Sequence, residues 1–249
     1  MSGKTIRRIT YALILFMCGF LTELSGFADG KNSFQEIFDL IYKQQFAEAH
    51  LELTNSEDEL DKWEYHILYL DLLCWEALSG NTREDYERFE SALKNYSSAL
   101  RKTREKDRLV ELITLSYSFR LEAIRGNLIS TMMDFLKINH IIQRFDTTML
   151  STDQQEVFKI YLALFNIGKS KLLFNNSRLR EEGIKILEEN LASTNPVYQT
   201  ISRYFLSKIY LELEQSPAKA RIYCEQLCNS YPANKIFIYN LELCNNTGI

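Results

Sequence analysis

Cys224 and Cys228 stand four residues apart and Cys244 follows sixteen later, so these thiols could in principle bind metal, bridge or pack. Four-residue spacing on a helix puts the two Cβ atoms about 6 Å apart, beyond the roughly 4 Å a disulfide needs. Cys224 and Cys228 should therefore not bridge. Cys228 with Cys244 is the one pairing left open, and buried free thiols are the expected state of these residues and of Cys74. No C-x2-C pair occurs and the three histidines are distant in sequence, so no metal site is assigned. His50 and His66, near Glu48 and Glu64, are expected at surface or half-buried positions, and His140 in packing. The chain has no G-x-S-x-G, no G-x-x-x-x-G-K-[ST] and no G-x-G-x-x-G. Catalytic and cofactor-binding residues are accordingly assigned to none.

The elements that would have to position these groups are helices. Nine Gly and three Pro in 249 residues are too few for the many turns of a β or α/β protein, while 46% hydrophobic residues can fill a core. An all-α fold is expected. "SFQEIFDLIYKQ" opens with Ser33 and Glu36 as a capping box, and Phe34, Ile37, Phe38, Ile41 and Tyr42 share one face. "FAEAHLEL" follows. Helices are predicted over about 58–79, with Trp63, His66, Leu70, Leu73 and Leu78 on one face, then 82–103, 105–125 and 128–144. After the loop 146–152, Thr152 with Gln155 is read as capping a helix to about 174. Helices over 178–192, 196–214, 217–229 and 235–244 complete the chain, two of them opened by Asn195-Pro196 and Ser216-Pro217. Five hairpins and a closing helix, at roughly 36 to 45 residues per pair, have the period of an α-solenoid.

Within this pattern, "YFLSKIYLELEQSPAKARIYCEQLCNSYPAN" resembles a tetratricopeptide repeat. Leu206, Ser207 and Tyr210 match the first helix of that family. Ala220, Cys224, Leu227 and the closing Pro232 match its second, although the turn "EQSPAK" is one residue longer than usual. The preceding unit is similar, with Gly168 at the small position, Gly183 in place of the Ala, Leu187 four later and Pro196 at the stop. Gly183 to Ala220 is 37 residues and Pro196 to Pro232 is 36. "LIYKQQFAEAHLEL" looks like a degenerate unit carrying Tyr42 and Ala49; 58–150 matches in helical period alone. The clearest repeats span 160–234. The resemblance implies a right-handed superhelix whose concave face binds peptides or proteins, with the helix 235–244 capping the end of the stack. Tyr161 and Tyr204 are the candidate partner-binding residues on that face.

At the N-terminus, Lys4, Arg7 and Arg8 precede the 13-residue apolar run "ITYALILFMCGFL", and Gly26-Phe27-Ala28 follows. This is the outline of a secretory signal peptide over 1–28, leaving 29–249 as the repeat domain. The run is shorter than the roughly 20 residues of a spanning helix, although retention as an anchor, or lipidation at Cys18, would tie the chain to a membrane. Removing 1–28 leaves 26 basic and 32 acidic residues. That acidic balance, with no long basic block, argues against nucleic acid. The cluster "RKTREKDR" over 101–108 reads as a solvated helix junction before an interaction patch.

The expectation is an exported, periplasmic scaffold of the bacterial cell envelope, not an enzyme, binding a protein or peptide. One competing class is a helical enzyme acting on polysaccharide or peptidoglycan. It would need two carboxyls about 5 to 10 Å apart in a pocket of the middle region. A lipid or small-ligand carrier would instead need a closed apolar cavity.

Overall fold

The computed structural model describes residues 33–102, 107–172 and 176–246. The signal peptide assigned to 1–28, with Cys18, lies outside the described residues. Eleven α-helices are described: α1 Ser33–Tyr42, α2 Phe46–Asn55, α3 Lys62–Gly80, α4 Arg83–Lys102, α5 Arg108–Ile124, α6 Leu128–Gln143, α7 Thr152–Leu172, α8 Ser177–Glu189, α9 Pro196–Lys208, α10 Pro217–Ser230 and α11 Lys235–Asn246. Among the described residues there is no strand, so the protein is all-α.

Helix boundaries follow from local chemistry. Asp61 and Glu64 form a capping box that starts α3 four residues later than periodicity suggests. Asn81, at φ +51°, ends it in the left-handed conformation that asparagine tolerates. Asp107 accepts from the backbone N–H groups of Leu109 and Val110, so α5 starts at Arg108. At α7 the reciprocal cap is Ser151 with Gln154, one residue before the predicted Thr152 and Gln155. Asn195 accepts from Val197 N at 2.7 Å, with Pro196 in the first helical position, as predicted. Past α9 the chain makes a π turn, Ile209–Leu213.

The chain divides into two compact units. One comprises 90–188 among the described residues, the other 33–89 with 189–246. In the second, the apolar face of α1 is buried as predicted. Its Tyr42 ring lies 4.8 Å from Trp75, 5.8 Å from Tyr231 and 6.0 Å from Phe237. Tyr204 joins the same cluster, 5.6 Å from Trp75 and 5.7 Å from Phe237. Polar groups clamp it. Tyr231 donates to Asp39 at 2.9 Å; burial first, and then the Asp39 charge, raise the phenol's pKa and keep it a donor. The wholly buried Asn234 donates to the Tyr42 carbonyl at 2.8 Å, while its Oδ1 accepts from Ile236 and Phe237 N and so caps α11. The last helix is therefore packed on the first hairpin and does not serve solely as an end cap. α3 also departs from the reading of one apolar face, because Trp63, Glu64, His66, Ile67, Leu68, Leu70, Asp71, Leu72 and Leu73 are all buried.

The unit 90–188 is held by neighbours in sequence. α5 and α6 form a hairpin around Gly126, whose φ of +74° suits a residue without Cβ. Phe135 of α6 stacks on Phe165 of α7 at 5.0 Å. Gly183 of α8 lies so close to α7 that an added Cβ would be 2.5 Å from the Ala163 carbonyl and 2.6 Å from Ile167 Cγ1.

Three outcomes follow. Gly183→Ala should destabilise by about 1–3 kcal/mol through overpacking against backbone, read as a lower urea midpoint. Asn234→Ala removes a cap and takes a donor from the Tyr42 carbonyl, at a cost of about 2 kcal/mol; Asn234→Asp, which keeps the cap oxygen but sets a buried carboxylate oxygen against that carbonyl, should cost at least as much. Burial, with Lys62 adding to it, lowers His66 from an ordinary 6.5 to about 3. Between those pH values the unfolded chain binds the extra proton, so the contribution is intact above about pH 6.5 and declines as pH falls toward 3. The slope from this one group approaches about 1.4 kcal/mol per pH unit. Urea midpoints between pH 7 and 4 should show it, and His66→Leu should flatten the dependence.

Candidate functional site

Three helices of the unit 90–188 each turn one face toward a cavity of about 840 Å³. α4 supplies Glu90, Leu93, Lys94, Ser97 and Ser98; α5 supplies Arg108, Glu111, Leu115, Ser118 and Glu122; α6 supplies Met133, Asp134, Leu136, Lys137 and His140. In each set the residues recur at intervals of three and four, with adjacent pairs in α4 and α6, the pattern of one helical face.

The charged groups of the wall are partnered. Glu90 takes hydrogen bonds from Arg125 at 2.9 Å and pairs with Lys94 at 2.7 Å, and these bonds lower its pKa to about 2. Glu90 is thus held ionised, which suits an ion pair and not proton donation near neutral pH. Asp134 accepts from Ser118 at 2.7 Å and Lys137 at 2.8 Å. Glu122 accepts from Asn127 at 2.6 Å, and Arg108 lies 3.5 Å from Glu111. The wall therefore presents both signs of charge in fixed positions.

An apolar stripe overlaps this wall, with Met133 and Leu136 common to both. On α6, Ile129 is 80% exposed, Leu136 54% and Met133 52%, and Met132 is exposed with them. The opposite side of the same helix buries Thr131, Phe135, Ile138 and Ile141. α6 thus has two apolar faces, of which the protein's own core covers one. "LISTMMDFLKINHIIQ" carries both stripes in plain view, but periodicity alone does not tell which stripe is covered.

The sequence candidates fall elsewhere. Tyr161 and Tyr204 are 1% and 2% exposed and belong to the cores of their respective units, so neither faces a groove. Large side chains on packed helices fill the space between those helices first. Gly168, Gly183, Leu206, Ser207, Tyr210, Ala220, Cys224 and Leu227 are buried, in keeping with packing roles, and Pro232 is exposed in the turn before α11. Tyr210 stacks 6.0 Å from Tyr223, with Lys219 over its ring. His66 is buried and neutral, while His140, expected in packing, is exposed on the cavity wall. His50 meets Glu76 at 3.1 Å, and Glu76 also faces Arg88, a charged cluster joining α2, α3 and α4. Cys228 is not the partner of Cys244; the thiol beside Cys244 is Cys224. Residues 103–106 of the basic cluster lie outside the described residues.

Among the described residues no group of His, Cys, Asp and Glu is arranged to hold a metal ion, and no helix is long and apolar enough to cross a membrane. No protein-family model, curated protein or solved structure gives a significant match to this chain.

Proposed function

We propose that this protein is an exported, non-enzymatic scaffold of the cell envelope that binds a segment of a protein partner, and that the binding surface is the α4–α6 cavity with the exposed face of α6. The observation that carries this reading is the stripe of Ile129, Met132, Met133 and Leu136 beside a charged cavity. Isolated apolar residues at a surface are ordinary, but a contiguous stripe at helical spacing marks a place where another apolar surface docks. Methionines suit this role because their flexible thioethers adapt to the partner's shape. The cavity accepts a few anchor side chains, and Lys94, Arg108, Lys137, Glu111 and Glu122 offer fixed partners for charges at the edge of the docked segment. An amphipathic helix, with apolar residues three and four apart and charges on its flanks, has the matching chemistry.

The finer reading is that the helix pairs are tetratricopeptide-like. Its support is local: Gly183 tight against α7 in one unit, and Ser207, Ala220, Cys224 and Leu227 buried between α9 and α10 in the other. The cavity volume also falls in the range of small-ligand sites. Its charged wall, however, disfavours the lipid tail that a carrier would hold.

The test is recovery of partners from solubilised envelopes by residues 29–249, followed by direct affinity measurement with a helical peptide from the partner recovered. Met133→Ser with Leu136→Ser should weaken that peptide at least tenfold while leaving the helical content unchanged. Equal affinity of native and variant protein would overturn the assignment of the surface. If no partner is retained by the folded native protein, the scaffold reading itself fails.

A further inference from the structure

Cys224 of α10 and Cys244 of α11 face each other with sulfurs 3.8 Å apart, and both are buried. Cys228 lies one turn along α10 and is half-buried. A disulfide requires a sulfur separation of about 2.05 Å, so rotations of two side chains on adjoining helices must close the remainder. The i, i+4 spacing on α10 offers Cys228 no equivalent approach to Cys224.

We propose that Cys224 and Cys244 are a disulfide-forming pair, closed by exchange with an external disulfide of the glutathione or protein-dithiol class, which staples the last helix to the one before it. Exchange starts at Cys244. It sits in the final turn of α11, where helices open most readily. Burial raises the pKa of both thiols, that of Cys224 to about 12, while the hydrogen bond from Cys224 first, and then nearby Arg221 and Lys208, draw Cys244 part of the way back toward its thiolate. The Cys244 thiolate attacks one sulfur of the external disulfide, forming a mixed disulfide and releasing one thiolate. Cys224 sulfur then attacks Cys244 Sγ, its proton passing to the second departing thiolate. Two protein thiols are oxidised by two electrons and one external disulfide is reduced to two thiols. The bond closes a loop spanning residues 224–244, which contains Tyr231, Asn234 and Phe237, the groups that hold α11 to the first hairpin.

The full chain, purified reduced, is equilibrated with excess glutathione disulfide over glutathione, quenched with acid, alkylated and peptide-mapped. The expected result is a single cross-linked peptide pair joining Cys224 to Cys244, with Cys74 and Cys228 alkylated and Tm raised by about 5–10 °C over the reduced form. Cys228→Ser should leave both unchanged, and Cys244→Ser should abolish the cross-link. Alkylation of both Cys224 and Cys244 after equilibration, a bridge through Cys228, or glutathione retained on Cys244 without closure would each overturn the proposal. The mapping of the unsubstituted chain decides the matter even if a variant fails to fold.

Discussion

The unit of residues 33–89 and 189–246 depends on one constraint: a ten-residue amphipathic helix cannot keep its apolar face dry by itself. α1 presents Phe34, Ile37, Phe38, Ile41 and Tyr42 on one side, and a helix of that length is marginal in water without tertiary partners. The hairpin with α2 covers part of the face. The remainder is closed by Trp63 and Trp75 of α3 and by Tyr231 and Phe237, with hydrogen bonds that join Tyr231 to Asp39 and Asn234 to the Tyr42 carbonyl across 192 residues. Asn234 has a double role, because the side chain that caps α11 also satisfies the backbone at the end of α1. Local helix formation and long-range closure are thereby coupled in one residue, and the N-terminal and C-terminal helices of this unit stabilise one another.

The unit 90–188 is organised differently. The contacts described for it join consecutive helices, the close approach of α8 to α7 depends on the missing Cβ of Gly183, and part of its apolar content stays outside its core. The excess is concentrated on α6. A helix apolar on two sides gains stability from burying one of them, and the other, left in water, is the surface on which the proposed docking rests. The adjacent carboxylates are each matched with a cation or a polar donor.

Much of the helical order was legible in the sequence because its signals are local. The proline starts at Pro196 and Pro217, the Gly126-Asn127 break and the apolar face of α1 all rest on interactions within a few residues. Boundaries slipped where two caps competed within a short stretch, as at Thr152 against Ser151 and in the acidic run before Asp61. Faces were misjudged where a helix is apolar around most of its circumference: α3 reads as amphipathic from a chosen set of positions, yet buries His66 and Asp71 as well. The tyrosines were misplaced for a related reason. Tyr161 and Tyr204 have the size and polarity of groove anchors, but the same size makes them the natural fillers between packed helices.

What the sequence by itself determined is that the described residues are helical, roughly where their turns fall, and that Gly183 must be small for α8 to approach α7. Those properties depend on φ/ψ preferences, caps and periodicity, which act over one or two turns. Only the tertiary structure decided that the last helix meets the first hairpin, that Cys244 faces Cys224 and not Cys228, and that one stripe of α6 stays uncovered. Each of those outcomes depends on which apolar face finds a partner distant in sequence. Burial of that kind is non-directional and carries no local signature.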